Sequence, residues 1–153
     1  MEKINFKITT PEREVYYGEV DQATMPTLEG EITVLPNHLP IVSVLVPGEI
    51  RLIDGSDEIG MAVSGGFIEV RPGNNIVVLA DTAERAEELD VAKIEEAKKK
   101  AEKALEEKRD MDEEAFAEAA AALEREMARL KVARKKYRGA PQRIESSETQ
   151  QNS

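Results

Sequence analysis

The side chains with chemical potential in this sequence are few, and they fall at four places. His38 stands in Leu35-Pro36-Asn37-His38-Leu39-Pro40, a loop stiffened by two prolines. As a general base it would need a nucleophile and an orienting partner, and the sequence nominates neither; a surface or interface histidine is favoured. Ser64-Gly65-Gly66 offers a hydroxyl beside two glycines. No G-x-S-x-G elbow surrounds it, so a turn that permits close backbone approach is the better reading. Asp110, Asp112 and Glu114 copy the alternate spacing of a calcium loop, but Ala115 stands where that loop needs Gly. A helix start lined with acids, favourable to the helix dipole, explains the same residues. The fourth place is the segment 125–138. There Arg125, Arg129, Lys131, Arg134, Lys135, Lys136 and Arg138 face Glu126 alone, a local charge of +6. Dipole compensation at a helix C-terminus accounts for part of it. The surplus fits an acidic partner or phosphates, or simply a solvated face. Arg125 and Arg129 lie one turn apart, a spacing that can grip a polyphosphate. Neither G-x-x-x-x-G-K-[ST] nor G-x-G-x-x-G occurs, which argues against P-loop and Rossmann nucleotide enzymes.

Composition narrows the field further. The 153 residues contain no Cys and one His, which excludes disulfides, thiolate catalysis and Cys-ligated metals and makes a His-built metal site implausible. The net charge of −10 argues against nucleic acid and anionic membranes as partners. No apolar run approaches a membrane span. The opening Met1-Glu2-Lys3-Ile4-Asn5-Phe6 lacks a basic and an apolar region, so no signal peptide is expected and a cytosolic or cytosol-facing setting follows.

The elements that must position these residues divide by composition. Residues 1–83 carry 13 acids, 5 bases, eight of the nine Gly and six of the seven Pro. Residues 84–138 carry 16 acids and 15 bases in an Ala-rich background. Gly and Pro punctuate strands, whereas dense Ala, Glu, Lys and Arg favour helix. The first block shows short β-favouring runs: Ile4–Ile8, Val15–Tyr17, Val20–Met25, Ile32–Leu35, Ile41–Val46, Glu49–Ile53, Ile59–Val63, Phe67–Val70 and Ile76–Ala80. Turns are expected at Gly18, Glu29-Gly30, Pro36-Asn37, Pro47-Gly48, Asp54-Gly55, Gly65-Gly66 and Pro72-Gly73-Asn74. Short strands without crossover helices predict an antiparallel β-sandwich or barrel.

The second block predicts an antiparallel two-helix hairpin. Leu89, Ile94, Ala97, Ala101, Ala104 and Leu105 form one narrow apolar stripe, with Glu95/Lys99 and Glu96/Lys100 at supportive spacing. Asp110 with Glu113 reads as a capping box, which places the connection near Lys108–Asp110. Phe116, Ala120, Leu123, Met127, Leu130, Arg134 and Tyr137 form a heptad seam that carries helix two to about Tyr137. The stripes are thin and Ala buries little, so the hairpin must dock on something, permanently or in exchange with an undocked state. Residues 139–153 read as a polar, disordered tail. The class is therefore α+β segregated, with a β-sandwich at 1–83 and a hairpin at 84–138.

Several segments in fixed order resemble the epsilon subunit of the bacterial F-type ATP synthase. They are Glu29-Gly30-Glu31-Ile32, Val34-Leu35-Pro36-Asn37-His38-Leu39-Pro40, Pro47-Gly48-Glu49-Ile50-Arg51, Val63 to Val70, and Val78-Leu79-Ala80-Asp81-Thr82-Ala83-Glu84. The resemblance spans about residues 3–138 and implies a sandwich of about ten strands followed by a two-helix hairpin. It implies a non-catalytic subunit at the foot of the rotating stalk, which links the gamma subunit to the c-ring and couples proton flow to ATP synthesis. It further implies a peripheral place on the cytoplasmic face of the cell membrane, held only through the complex. Glu31 and His38 become the expected rotor contacts, although Thr33 departs from the Gly the family has there. In many members the hairpin extends along gamma and brakes ATP hydrolysis. Lys131, Arg134, Lys135 and Lys136 would then meet an acidic segment of the catalytic beta subunit.

Some members bind ATP through a motif Ile/Leu-Asp-x-x-Arg-Ala and two helix-two arginines. Leu89 and Asp90 match it, Lys93 and Ile94 depart from it, and Glu84, Arg125 and Arg129 match its outlying positions. Lys93 keeps the charge but loses the planar fork. The resemblance thus implies no resident cofactor and, at most, weak regulatory ATP. The rival reading from composition alone is a free-standing sandwich adaptor whose hairpin binds an unrelated acidic protein.

Overall fold

The computed structural model describes residues 2–107 and 112–139. Eight strands come first: β1 (Ile4–Thr9), β2 (Glu14–Val20), β3 (Gln22–Thr27), β4 (Gly30–Val34), β5 (Ile41–Leu45), β6 (Gly48–Asp54), β7 (Asp57–Arg71) and β8 (Asn75–Arg85). A 3₁₀ turn (Ala86–Glu88) leads into α1 (Val91–Glu107), and α2 (Glu113–Arg134) follows. A β-sandwich followed by two helices is the class expected.

Two strands do the folding-over. β7 runs antiparallel to β8 in one register from Met61↔Arg85 to Arg71↔Asn75. On its other edge β7 pairs first with β6, Asp54↔Asp57 to Gly48↔Val63, and then with β5, Leu45↔Gly66 to Ile41↔Val70. β5 and β6 are thus one ribbon broken at Val46-Pro47, where the proline cannot donate to a ladder. Beyond β8 the sheet continues to β1 and β2, and beyond both β5 and β6 it continues to β3 and β4.

Alternation fills the space between the layers. Ile4, Phe6 and Ile8 of β1, Ile50 and Leu52 of β6, Met61 and Val63 of β7, and Ile76 and Val78 of β8 are all buried in one cluster. Each large aliphatic or aromatic side chain buried there stabilises by about 1.5–3 kcal/mol.

The strand count is eight, not about ten, and two expected turns lie inside strands: the one at Gly65-Gly66 joins two expected runs into β7, and the one at Gly18 only moves the β2–β3 break to Asp21. Gly18 pairs with Phe6 in mid-strand. Gly65-Gly66 is a point within β7 rather than a turn. Gly66 has φ 142°, and a Cβ there would lie 2.0 Å from the Leu79 carbonyl oxygen. Only Gly meets both demands. One pairing departs from the antiparallel pattern: β1 lies parallel to β8, Asn5↔Asn75 to Thr9↔Leu79.

The helices also differ in detail. α2 ends at Arg134, three residues short of the expected limit at Tyr137, and the chain turns extended at Lys135. Its N-cap is Asp112, which accepts from the Ala115 N–H at 2.7 Å. The Asp110 cap, the Lys108–Asp110 connection and the tail beyond Gly139 lie outside the described residues. The heptad seam matches the buried face only in part: Leu130 and Tyr137 are buried, but Phe116 and Met127 are exposed, while Ala119, Glu126 and Ala133 are buried beside Leu130 and Ala128 and Val132 on another side. A helix packed on both α1 and a sheet needs two buried sides, not one coiled-coil seam. Glu95 reaches across to Arg134 rather than along its helix to Lys99, which joins the start of α1 to the end of α2.

Candidate functional site: the seat of the hairpin

Ala62 lies directly across from Glu49 on β6 and from Glu84 on β8, so these three share one outer row of the sheet. α2 sits over that row. Ala62 is small enough for the helix to close on it, and the carboxylates on either side fasten the helix down. Ala62, Ala86, Leu89, Ile94, Leu130, Val132, Ala133 and Tyr137 form the cluster between hairpin and sheet. Three of them are alanines, so apolar burial alone holds the hairpin weakly.

The first fastening is Glu84. Arg129 donates to it twice, from Nη2 at 2.5 Å and from Nε at 3.2 Å. The same guanidinium donates from Nη1 to Glu126 Oε1 at 2.5 Å. Burial works against the Arg129 charge, but Glu84 and Glu126 more than offset it, and its affinity for the proton ends above the ordinary value.

The second fastening is Glu49, which is buried although charged. The Tyr137 hydroxyl donates to its Oε2, and Lys135 Nζ stands 3.0 Å from the same oxygen. The Tyr137 ring lies against Gly60, where a Cβ would meet it at 2.0 Å. Burial first and the Glu49 carboxylate second push the Tyr137 phenol well above its ordinary range. Past the ring, the Glu58 N–H donates to the Arg138 carbonyl at 2.7 Å, and Arg138 Nε donates to the Ser56 carbonyl at 2.8 Å. The five residues after α2 therefore clasp the β6–β7 corner.

Sequence reasoning did not single out Glu49, Gly60 or Glu126 as functional, and treated Tyr137 only as a seam residue. The one available signal was a carboxylate at an alternate position beside apolar neighbours, Glu49 between Gly48 and Ile50.

The residues expected from sequence are distributed as follows. Glu84, Asp90, Lys93 and Arg129 come together in a cleft of about 410 Å³ between the hairpin and the sheet, with Glu88 and Glu126. Asp90 caps α1 there, accepting from the Ala92 and Lys93 N–H groups. Arg125 is not among the cleft residues; its Nε is buried without a hydrogen bond, 3.8 Å from Glu126 Oε1. Of the terminal cations, Lys135 is held by Glu49 and Arg134 by Glu95, while Lys131 and Lys136 are exposed. Glu31 and His38 are both exposed but not clustered. Glu31 accepts from Arg51 Nη2 at 3.0 Å, and Arg51 in turn stands 3.6 Å from Glu49. His38 lies beside the β7–β8 turn, where the Asn37 N–H donates to Asn74. Its Nδ1 donates to the Leu39 carbonyl at 2.6 Å. Thr33, at the position that departs from the resemblance, pairs its hydroxyl with that of Thr24 at 2.9 Å. Ser64 does the same with Thr82 at 2.6 Å.

Among the described residues, the opposite outer face is left uncovered. Val44 and Leu79 flank Phe67 in one cross-strand row, and Val42 stands two residues along β5. Val42 is 75% exposed, Phe67 59%, Leu79 56% and Val44 42%, with Leu28 beside them at 72%. Large apolar side chains grouped this way mark a docking surface.

Residues 3–86 match the family described as ATP synthase, Delta/Epsilon chain, beta-sandwich domain, and residues 87–134 match its long alpha-helix domain. The chain belongs to the ATP synthase delta/epsilon family. The ATP synthase epsilon chain of Dehalococcoides mccartyi is 48% identical over 136 residues, covering 89% of this chain and 96% of that one. The epsilon chain of Herpetosiphon aurantiacus is 42% identical over 86% of this chain and 94% of its own length. Among solved structures, a chain of the Euglena gracilis mitochondrial ATP synthase, in its OSCP/F1/c-ring assembly, superposes with a TM-score of 0.69 at 27% identity. That match covers 80% of this chain and 76% of the Euglena one. A family member of this kind is a non-catalytic central-stalk subunit of the ATP synthase.

Proposed function

We propose that this chain links the gamma subunit to the c-ring of a proton-translocating ATP synthase and regulates ATP hydrolysis through its hairpin. The bare face of β5, β7 and β8 carries the reading. A patch holding Val42, Val44, Phe67 and Leu79 at such exposure is costly in water unless a partner covers it. The gamma subunit is that partner here. Glu31 and His38 serve the rotor end, and the beta subunit meets the cationic end of α2 when the hairpin extends. The chain works on the cytoplasmic face of the cell membrane, attached through the complex; no helix among the described residues is long and apolar enough to cross a bilayer.

The hairpin suits a regulatory part because its attachment is polar and local. The sandwich keeps its own large core, so α2 can leave Ala62 without dissolving it. On release, Lys135 and Arg134 lose their internal carboxylates and join Lys131 and Lys136 as free cations. The test is co-expression with the cognate gamma subunit. The full chain co-purifies with gamma, and Phe67→Glu does not. Failure of the unaltered chain to form that complex would overturn the proposal.

A further inference from the structure

We propose that Glu126 closes the hairpin cleft to phosphate ligands, standing as an internal anion where a nucleotide's phosphates would otherwise be gripped. The residues there do not fit a triphosphate as they are arranged. Among the described residues Arg129 is the only arginine of the cleft, and three of its five N–H donors, one each on Nε, Nη1 and Nη2, are already committed to carboxylates. Glu84 holds two of them side by side, the same fork geometry that a phosphate would use. Glu126 holds the third, and its Oε1 also lies 3.8 Å from Arg125, so one buried carboxylate answers both arginines. Only 7% of the Glu126 side chain is exposed, which removes it from competition by water. Asp90 is occupied in capping α1.

Charge points the same way. The cleft is lined by Glu84, Glu88, Asp90 and Glu126 against Lys93 and Arg129. A polyanion would enter against a net negative wall and would have to displace two carboxylates to reach the guanidinium. The hairpin therefore docks without a ligand, and Glu126 sets that independence. This holds for the isolated chain, whether or not the stalk reading stands.

The experiment is titration of the full-length chain with ATP, followed by calorimetry and by hydrogen exchange of α2. The unaltered chain gives no saturable heat up to ~1 mM ATP, and ATP leaves its exchange unchanged. Glu126→Gln keeps the shape and removes the charge, and Glu126→Ala removes both. Each gains at least about tenfold in ATP affinity, and adding Arg129→Ala abolishes the gain. If Glu126→Ala loosens α2, ATP restores its protection, and Glu126→Gln reads the affinity with the hairpin docked. Binding of ATP by the unaltered chain as tight as by the variants would overturn the proposal. So would Glu126→Gln variants that fold and bind no better than the parent.

Discussion

The two outer faces of the sandwich solve opposite problems. On the face of β6, β7 and β8 that carries α2, the residues pointing out are small or charged: Gly60, Ala62, Glu49 and Glu84. On the face of β5, β7 and β8 that no described residue covers, they are large and apolar: Val42, Val44, Phe67 and Leu79. An alanine-floored seat with carboxylates at its sides gives an attachment that is specific in position yet modest in energy, and so reversible. A bare aromatic and aliphatic patch gives an attachment whose strength comes from area, suited to a partner that stays. The same two strands carry both because β7 and β8 pass through both layers.

The comparison can be broken most severely on the bare face. Phe67→Glu should cost gamma binding at least ~2 kcal/mol, a loss of roughly thirtyfold or more. Its melting temperature should stay near that of the parent, because the side chain is already in water. A pull-down series with gamma, run beside a thermal melt, separates the two effects.

The seat should respond in the other sense. Arg129→Ala leaves Glu84 and Glu126 without their shared cation, and truncating one partner of such a partly buried group costs roughly 2 kcal/mol, less than for a fully buried pair. The loss falls on the hairpin alone. Hydrogen exchange should show α2 unprotected and β1, β7 and β8 unchanged; uniform loss across the sandwich would mean that the two regions are not separable.

Tyr137→Phe is smaller, about 1.5 kcal/mol, since one hydrogen bond to a charged acceptor goes and the ring stays on Gly60. It also carries a pH signature. The folded phenol ionises well above its unfolded value, so its contribution is complete below the unfolded value of about 10 and declines as pH rises beyond it. Docking of α2, followed by exchange or a hairpin probe, should weaken above about pH 10 in the parent and weaken less in Tyr137→Phe.

Smallest is the surface clamp between Arg13 and Glu88. Hydrogen bonds from Arg13 hold Glu88 below the usual carboxylate range, against the opposing effect of burial. Its stabilisation is present at neutral pH and is lost as pH falls through that lowered value. Because both groups are well exposed, Glu88→Gln should change stability by about 0.5 kcal/mol at most, measured by melts at neutral pH.

Much of this was legible in the chain before folding. The division into strand and helix blocks followed from where Gly and Pro stop and Ala begins, and the inward residues of β1 followed from the alternation of Ile4, Phe6 and Ile8 with Asn5 and Lys7. What was not legible depended on pairing between distant segments. Alternation says that Ile4, Phe6 and Ile8 share a face, but not that β1 lies parallel to β8. Gly65-Gly66 reads as a turn locally, and becomes a continuous strand only because Leu79 and Ala80 press against it. The Arg125 and Arg129 spacing was visible as a possible grip. Glu126 takes one donor of Arg129 locally, three residues away on the same helix, but the fork taken by Glu84 was not legible because Glu84 arrives from β8. Tyr137 lost its place in the seam because the helix ends three residues earlier, and gained one on Gly60 that no periodicity describes.

The most direct measurement is ATP hydrolysis by the cognate catalytic complex carrying the full chain, the Tyr137→Phe chain, or a chain ending at Ala86. All three must be shown to be bound. The reversible seat predicts the fastest hydrolysis with the shortened chain and the slowest with Tyr137→Phe, whose hairpin leaves its seat more often. Equal rates from all three would contradict it, and would leave the hairpin without a part in controlling the motor.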